Sequence, residues 1–254
     1  MARPATRGAA PVVPAEPAGV VVPAAGLGRR LGDQGPKALI PLAGRPLLAW
    51  VLADLEASAS AGPVVVATHP TAIARVRALV EGADGRPFAK VHAVVAGGAT
   101  RQQSVAAGLA ALPPGWRFVA VHDAARPLAG PALLDRLLAL LREDPDGVAG
   151  VVPGAPVTDT IREVDAAGRS KGVVDRDRLR GMQTPQVFLR TALERAHALA
   201  ADEGVEATDE AALVERAGWS VLVAPGPAEN LKVTTRLDLA VAEAILAGRE
   251  RPDA

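Results

Sequence analysis

Residues 19–37 read GVVVPAAGLGRRLGDQGPK. The first five residues are a short β-branched run between glycine and proline, which predicts a buried strand. Small residues and three basic side chains follow, and they predict a loop that ends at Lys37. Residues 46–59 then show the apolar spacing of a helix. This strand, loop and helix form the first unit of an α/β fold.

Short apolar runs and longer amphipathic segments alternate along most of the chain. Later strands are expected at residues 64–68, 91–96, 118–121, 147–152, 220–223 and 231–233, and later helices at residues 71–80, 101–112, 131–142, 189–201, 208–217 and 235–247. Apolar strands that are each followed by a helix favour a mostly parallel, twisted sheet with helices on both faces. The fold class is therefore α/β, of the Rossmann-like kind.

The alternation stops between residues 153 and 185, where glycine, proline and short alternating pieces take its place. This composition predicts a β-hairpin arm that projects from the sheet, with residues 153–175 as the arm itself. The arm is expected to belong to a single domain that covers residues 19–250. Residues 1–18 are rich in alanine and proline, and they predict a disordered leader.

The composition excludes several classes of function. Lysine plus arginine equals aspartate plus glutamate at 28 each, and aromatic residues are 2% of the chain, so a nucleic-acid partner is not expected. Cysteine is absent, which excludes disulfides and cysteine-bound zinc. No segment has the apolar length of a signal peptide or a membrane span, so a cytoplasmic location away from membranes is expected. Phosphate chemistry would need a local cluster of positive groups, which indicates a small anionic ligand.

The loop after the first strand has the composition of a phosphate site. Small residues such as Gly26 and Gly28 let backbone N–H groups approach an anion closely. Open α/β sheets also bind ligands at the carboxyl ends of their strands. A P-loop is excluded because Asp33 follows Gly32, where that motif needs lysine, and a dinucleotide fingerprint is excluded because Leu31 stands at its third glycine. The remaining alternative is a flexible turn with surface arginines, and the clustered charge favours phosphate binding.

Four later segments carry further candidates. In residues 97–105, GGATRQQSV, two glycines open a helix on which Arg101 and Ser104 share a face, although a plain loop-to-helix connection reads the same way. In residues 121–127, VHDAARP, Asp123 follows a strand and could hold Mg²⁺ or a hydroxyl, or could simply pair with Arg126. Residues 174–188 carry a basic run before a TPQ tripeptide, and residues 229–235 carry Lys232. Taken alone, these last two segments read as surface.

Together and in this order, the segments resemble the 2-C-methyl-D-erythritol 4-phosphate cytidylyltransferases of the non-mevalonate isoprenoid pathway. The resemblance covers residues 19–247, and its most specific parts are residues 23–30, 122–127, 184–186 and 230–234. It implies that residues from three motifs contact CTP: Pro23, Ala24, Ala25, Gly26, Leu27, Gly28, Arg29, Arg30, Lys37, Gly98, Arg101, Ser104, Asp123 and Ala124. The chain departs from the usual family pattern at Ala38, Leu39 and Ala99.

The resemblance also implies roles in catalysis and in binding the second substrate, a small polyol phosphate. Catalysis is expected from Arg30, Lys37, Arg176 and Lys232, and contacts with the polyol phosphate from Asp123, Arg126, Thr160, Arg176, Thr184 and Lys232. Mg²⁺ or another divalent cation is expected at Asp123. The arm is expected to interlock two subunits of a homodimer, so that Thr160 and Arg176 act in the neighbour's site.

Three other functions stay open at this point. A ribitol 5-phosphate cytidylyltransferase shares the fold and the loop, although Ala124 and Ala125 favour methylerythritol phosphate. A nicotinamide-dependent oxidoreductase lacks its third glycine and its ribose-binding acid here. The alternative of a different class is a catalytically silent nucleotide-binding module, against which the retained charged residues argue.

Overall fold

The computed structural model describes residues 16–32, 35–82, 85, 87–143 and 147–249. The predicted leader, residues 1–18, lies outside the described residues except for its last three, and Ala18 already belongs to the first strand. Among the described residues, no helix combines the length and the apolar character needed to cross a bilayer.

Twelve strands and seven α-helices are found in the described part of the chain. The strands are β1 Ala18–Ala24, β2 Pro41–Leu42, β3 Arg45–Pro46, β4 Ala61–Thr68, β5 Val91–Ala96, β6 Phe118–Val121, β7 Gly150–Pro156, β8 Ile161–Val164, β9 Ser170–Val174, β10 Arg180–Met182, β11 Gln186–Leu189 and β12 Val221–Pro225. The helices are α1 Leu47–Ala57, α2 Ile73–Val80, α3 Arg101–Ala111, α4 Pro131–Glu143, α5 Arg190–Glu203, α6 Glu210–Arg216 and α7 Arg236–Arg249.

The main sheet has eight strands, and β1 lies inside it. β1 runs parallel to β4 on one side and to β6 on the other, and β5 follows parallel to β4. The carboxyl ends of β1, β5 and β6 therefore lie along one edge of the sheet. Each is followed by one of the loops that the sequence marks as a candidate site, so the topology brings the three loops to the same edge.

Helices cover both faces of the sheet, as predicted. Successive residues of a strand point to opposite faces. In β1, Val20 and Val22 pack with the apolar residues of α1, α2 and α4, whereas Val21 packs with those of α3, α5 and α6. This arrangement explains why the strands read as unbroken apolar runs, because both of their faces are buried.

A third apolar cluster joins the last helix to the candidate phosphate loop. Leu31, Ile40 and Leu42 from the loop and the segment after it pack with Val233 and with Leu246 of α7. All five side chains are almost wholly buried. The loop after β1 is therefore held from behind by the end of the chain, as well as by the strand that precedes it.

The sequence does not predict four short strands, two of them in the main sheet. β11 runs antiparallel between β6 and β7, and β10 pairs antiparallel with the end of β7. β2 and β3 form a separate two-residue ladder. All are two to four residues long, too short to show a period of two, and Pro185 stands immediately before β11.

The predicted strand at residues 231–233 is wrong. The structure has no strand there, although the Val233 N–H donates to the Ala125 carbonyl at 2.8 Å. Leu231 and Val233 face the third apolar cluster. Burial of alternate side chains in a loop thus gives the same sequence pattern as a strand.

A hairpin lies in the region predicted as the arm, displaced by four residues toward the carboxyl end of the chain. β8 and β9 pair antiparallel as a separate two-stranded sheet, and Val164 and Val173 on it are 55% and 61% exposed. The predicted start at residue 153 is wrong, because β7 continues to Pro156 and β10 pairs with its last three residues. The projecting part is therefore residues 157–179.

Candidate active site

The loops after β1 and β5 touch at the edge of the sheet. The Gly97 N–H donates to the Thr68 carbonyl at 2.7 Å, which holds the second loop against the end of β4. A Cβ atom on Gly97 would stand 2.7 Å from the Cβ of Ala25 and 2.8 Å from the Oγ of Ser104. Such contacts are too close for any residue but glycine. The two glycine-rich motifs of the sequence therefore form one continuous surface.

The loop after β1 closes on itself at Lys37. The Lys37 N–H donates to the Gly26 carbonyl at 2.9 Å, and the Leu31 N–H donates to the Gly28 carbonyl at 2.8 Å. Gly28 has a φ of 63°, in the left-handed region. A Cβ atom on it would stand 2.9 Å from the Cβ of Lys37. Glycine at this position thus allows the backbone turn and the close approach of the lysine.

Gly28→Ala is expected to lower the free energy of unfolding by about 1–2 kcal/mol, because alanine is strained in the left-handed region. The clash with Lys37 should also weaken CTP binding. Denaturant unfolding and calorimetric titration with CTP measure the two effects. The matched control is Gly26→Ala, where a Cβ meets no atom within 4 Å, and its unfolding free energy should change by less than about 0.5 kcal/mol. Equal losses of unfolding free energy in both variants would show that position 28 has no special need for glycine.

A cavity of about 240 Å³ opens between the three loops. Most of the predicted CTP-contacting residues line it: Pro23, Ala24, Ala25, Gly26, Lys37, Gly98, Arg101, Ser104, Asp123 and Ala124. Ala38, Ala99, Thr100, Ala125 and Lys232 complete the lining. Small side chains form most of the wall, so backbone groups are accessible, and the charge is concentrated in four side chains.

Asp123 lies between two cations on one side of this cavity. Its Oδ1 accepts a bond from the Arg101 Nε at 2.9 Å, and its Oδ2 lies 2.7 Å from the Lys232 Nζ. Burial alone raises the pKa of Asp123, but Arg101 and Lys232 outweigh it and hold that pKa well below its usual range. The carboxylate is therefore ionised at neutral pH, and Arg101, Asp123 and Lys232 form a charged wall.

Lys37 stands across the cavity with a perturbed ammonium group. Burial, and next the nearby charge of Lys232, lower the pKa of Lys37 to about 8. Asp123 acts in the opposite direction, and Arg30 adds to the lowering. A bound polyanion would reverse the balance, because negative charge favours the protonated amine. Lys37 is thus a cation that an anionic ligand stabilises.

If CTP binds here as predicted, proton uptake is expected at pH 8, because about half of the Lys37 side chains are then uncharged in the free protein and become charged beside a triphosphate. The CTP affinity should fall as the pH rises from 7 to 9. Calorimetric titration in two buffers of different ionisation enthalpy measures the uptake. Lys37→Arg is the control, since a guanidinium does not titrate in this range. A binding enthalpy of the unmodified protein that is the same in both buffers would contradict the expectation.

A second cavity of about 330 Å³ adjoins the first at the charged wall. Its lining includes Arg101, Asp123 and Lys232 again, and adds Arg126, Met182, Gln183, Thr184, Gln186, Thr208 and Asp209. The charged wall is thus shared by two adjoining cavities. The predicted contacts with the polyol phosphate at Arg126 and Thr184 lie in the second one.

Contacts with the loop after β6, with β10 and with Asn230 hold Thr184 and Arg126 in place. The Thr184 hydroxyl accepts the Asp123 N–H at 2.9 Å and bonds to the His122 Nδ1 at 2.9 Å. His122 is wholly buried, and burial lowers its pKa to about 4, so it is a neutral packing partner. The guanidinium of Arg126 donates to the carbonyls of Asn230 and Met182 at 2.6 and 2.9 Å. Backbone contacts therefore fix the second cavity.

The sequence model of the IspD family, 2-C-methyl-D-erythritol 4-phosphate cytidylyltransferase, matches residues 18–248. The chain belongs to this family. Over 239 residues it is 44% identical to the 2-C-methyl-D-erythritol 4-phosphate cytidylyltransferase of Streptomyces coelicolor, a match that covers 92% of this chain and 86% of the relative. The crystal structure of the enzyme of that name from Thermus thermophilus superposes with a TM-score of 0.72 at 36% identity, covering 91% of this chain and 99% of that one.

Membership of the cytidylyltransferase family confirms the predicted resemblance and the fold class. A second relative with the same name, from a Synechococcus species, is 42% identical over 234 residues, which are 92% of this chain and 99% of the relative. Both relatives are matched over most of their length. The chain is therefore a member of an enzyme family of nucleotidyltransferases, and the oxidoreductase alternative is excluded.

Four of the residues predicted to contact CTP are not among those that line the first cavity. Leu27 and Gly28 line an adjoining cavity with His69, Pro70 and the second glycine-rich loop. The side chain of Arg29 is outside the described part of the structure. Arg30 is exposed at the rim, close enough to affect Lys37.

Thr160 and Arg176 line a separate pocket on the arm. Arg176 donates to the Thr158 carbonyl there. The structure thus brings the two predicted arm residues together with each other, and it places them in neither of the cavities that share the charged wall.

Ser104 and Glu210 are the two residues that differ most from what the sequence suggests. The Ser104 hydroxyl is buried, accepts the Gly98 N–H at 3.2 Å and donates to the Thr100 carbonyl at 2.9 Å, so it shapes the second loop from inside. Glu210 forms an ion pair with Arg101 at 2.6 Å. The sequence shows Glu210 only as an acid in the first turn of a helix, a common surface position.

One carboxylate lines the first cavity and could bind a metal ion, that of Asp123. Among the residues that the structure describes, no three His, Asp or Glu side chains are grouped as metal ligands. Asp123 is ionised, and each of its oxygens already accepts one bond from a cation. Mg²⁺ commonly uses one or two carboxylates together with substrate phosphates. Asp123 therefore fits as a single ligand beside a bound nucleotide, and the site is not a protein cage for a resident ion.

Proposed function

We propose that this protein joins CTP and 2-C-methyl-D-erythritol 4-phosphate to give 4-diphosphocytidyl-2-C-methyl-D-erythritol and pyrophosphate. The observation that carries the proposal is the wall of Arg101, Asp123 and Lys232 between two cavities. The first cavity, which small residues mostly line, suits the nucleotide, and the polar second cavity suits the polyol phosphate. The two phosphates that react would then meet at the wall.

The reaction needs electrostatic help more than acid–base chemistry. A phosphate oxygen of the polyol phosphate attacks the α-phosphorus of CTP, a new P–O bond forms, and the bond to the β-phosphate oxygen breaks as pyrophosphate leaves. The nucleophile is already anionic at neutral pH, so no proton has to move. Repulsion between anions and their alignment make up most of the barrier. Lys37 and Lys232, on different loops of the cavity, supply positive charge, and Arg30 adds to it at the rim.

The divalent cation is part of the proposal. When bound, Mg²⁺ or a similar ion would offset negative charge on the triphosphate. Asp123 would hold it together with phosphate oxygens, as the only carboxylate among the residues found to line the first cavity. The work of this chain is to keep that carboxylate ionised, which Arg101 and Lys232 do.

A homodimer with shared sites is also proposed. The arm carries Thr160 and Arg176 away from both cavities of its own subunit, so a second subunit is the simplest way to bring them to a site. Mixing Lys37→Ala protein with Arg176→Ala protein tests this. After exchange, half of the dimers are mixed and each has one intact site, so about a quarter of the unmodified activity should return from two inactive parents. Activity that stays at the parental level after proven exchange contradicts shared sites.

The substrate assignment is tested by pyrophosphate release with CTP and Mg²⁺. The experiment compares methylerythritol 4-phosphate with ribitol 5-phosphate, and CTP with ATP, GTP and UTP. Turnover with CTP and methylerythritol phosphate is expected. Activity only with ribitol phosphate would overturn the assignment of the acceptor, and activity only with another nucleotide would overturn the assignment of the base. No turnover with any pair of substrates would favour the catalytically silent module. The cytoplasmic location stays a prediction from the sequence.

A further inference from the structure

Glu210 is a buried carboxylate behind the charged wall. It is the first residue of α6, it is 1% exposed, and it belongs to the lining of neither cavity beside the wall. Its Oε2 accepts a bond from the Arg101 Nη1 at 2.6 Å. Burying a carboxylate is unfavourable unless it is paired, so the contact with Arg101 accounts for its presence inside the protein.

Glu210 and Asp123 hold Arg101 from two directions. Asp123 accepts from the Arg101 Nε at 2.9 Å, while Glu210 accepts from Nη1. A guanidinium is planar and its donors have fixed directions, so two carboxylates on different nitrogens define its orientation. The ion pairs then run in one line from Glu210 through Arg101 and Asp123 to Lys232.

The position of Glu210 is fixed without help from Arg101. Asp209 caps α6 by accepting the Ala212 N–H at 3.0 Å, and its other oxygen accepts from the Gln186 side chain at 2.8 Å. The preceding segment is bonded to Gln102, whose side chain donates to the Val205 carbonyl at 3.1 Å and accepts the Ala207 N–H at 3.0 Å. Glu210 is thus a fixed point to which Arg101 is attached.

Among the residues in this series of ion pairs, Lys232 depends most on its partner for a defined position. Its side chain is 41% exposed, and the 2.7 Å contact with Asp123 is the ion pair that directs it into the space between the two cavities. If Arg101 turned away, Asp123 would lose one partner and its carboxylate could rotate. The ammonium group of Lys232 would then lose its defined place.

We propose that Glu210 is a positioning residue, which orients Arg101 and, through Asp123, places the Lys232 ammonium between the two cavities. The assignment rests on the proposed function, because it concerns the charge that develops when the two phosphates react. Glu210 itself would contact neither substrate.

Glu210→Gln tests the proposal, since glutamine has the same shape and no charge. We expect turnover at saturating substrates to fall about tenfold, in the range known for residues that orient groups in contact with a ligand. The KM for CTP should rise by a smaller factor than turnover falls, because the affected charges act more on the reacting state than on bound CTP. Glu210→Asp keeps the charge and withdraws it by one methylene, so its turnover should lie between those of the unmodified protein and Glu210→Gln.

A double-mutant cycle separates positioning from a structural role. If Glu210 acts through Arg101, the pair Arg101→Met and Glu210→Gln should lose no more turnover than Arg101→Met alone. The matched control is Glu194→Gln, which breaks a 2.7 Å pair with Arg190 just after β11, next to the amino end of β6 and away from the site. It should leave turnover unchanged.

Three results would overturn the proposal: unchanged turnover in folded Glu210→Gln protein, additive losses in the cycle, or a crystal structure of that variant in which Arg101 and Lys232 keep their places. The crystal structure does not depend on activity. If the unmodified protein fails to turn over CTP and methylerythritol phosphate, the proposed function fails, and the structure of the variant still decides whether Glu210 orients Arg101.

Discussion

Lys37→Ala is expected to lower turnover on the order of 10²–10³-fold while the protein folds normally. The ammonium group lines the first cavity, and burial together with the charge of Lys232 lowers its pKa to about 8. In the proposed reaction its partner is the triphosphate of CTP, which gains negative charge on the leaving oxygen as pyrophosphate departs. Pyrophosphate release at saturating substrates measures the loss, and circular dichroism checks the fold.

Arg30→Ala should act in the same direction, because Arg30 adds positive charge near Lys37 from the rim of the cavity. Arg75→Ala is the matched control, since it removes the same charge from an exposed position on α2. Its turnover should stay within twofold, roughly the scale of an isolated surface change. Pyrophosphate release at the unmodified rate from Lys37→Ala would remove that residue from the mechanism.

Asp123→Asn is expected to reduce both stability and turnover. The change leaves Arg101 and Lys232 beside a neutral group at a position that is almost wholly buried. Breaking a buried pair costs about 3–5 kcal/mol, and since both cations are partly exposed we expect about 3 kcal/mol. Turnover should fall at least about 100-fold, because Lys232 loses its place. Denaturant unfolding and pyrophosphate release measure the two losses.

The pH dependence of stability gives a second test of Asp123. Its pKa is lowered in the folded protein, so its ion pairs stabilise the fold above about pH 4, and this stabilisation is lost as the pH falls through the folded pKa. Asp123→Asn protein should therefore lose less stability than the unmodified protein between neutral pH and strong acid. The control is Glu163→Gln, which breaks the exposed arm pair with Lys171 and should cost less than about 1 kcal/mol.

The elements with a clear period were predictable from sequence. Buried parallel strands such as β1 and β4 read as unbroken apolar runs, and a long helix such as α4 shows a regular apolar stripe. Their positions in turn predict that the loops after β1, β5 and β6 meet at one edge. The first cavity follows from this topology, which explains why most of the residues predicted to contact CTP line one cavity; the contact with CTP itself stays a prediction.

The second cavity was harder to predict, because its residues come from short or irregular segments. Thr184 directly precedes Pro185 and β11, a four-residue strand, and Thr208 and Asp209 come from the turn before α6. Glu210 reaches Arg101 across 109 positions of the chain. A single sequence records that such residues are polar and gives no sign that they are buried against one another.

The chain leaves the main sheet at the end of β7, forms the projecting hairpin, and returns as β10, which pairs with the residues it has just left. The next three residues are Gln183, Thr184 and Pro185, and the first two line the second cavity. A rotation of the hairpin would therefore be passed directly to the walls of the second cavity, the proposed site of the polyol phosphate. Natural variation in the hairpin and in these walls should consequently occur together, and a comparison of related sequences can test whether they have co-evolved.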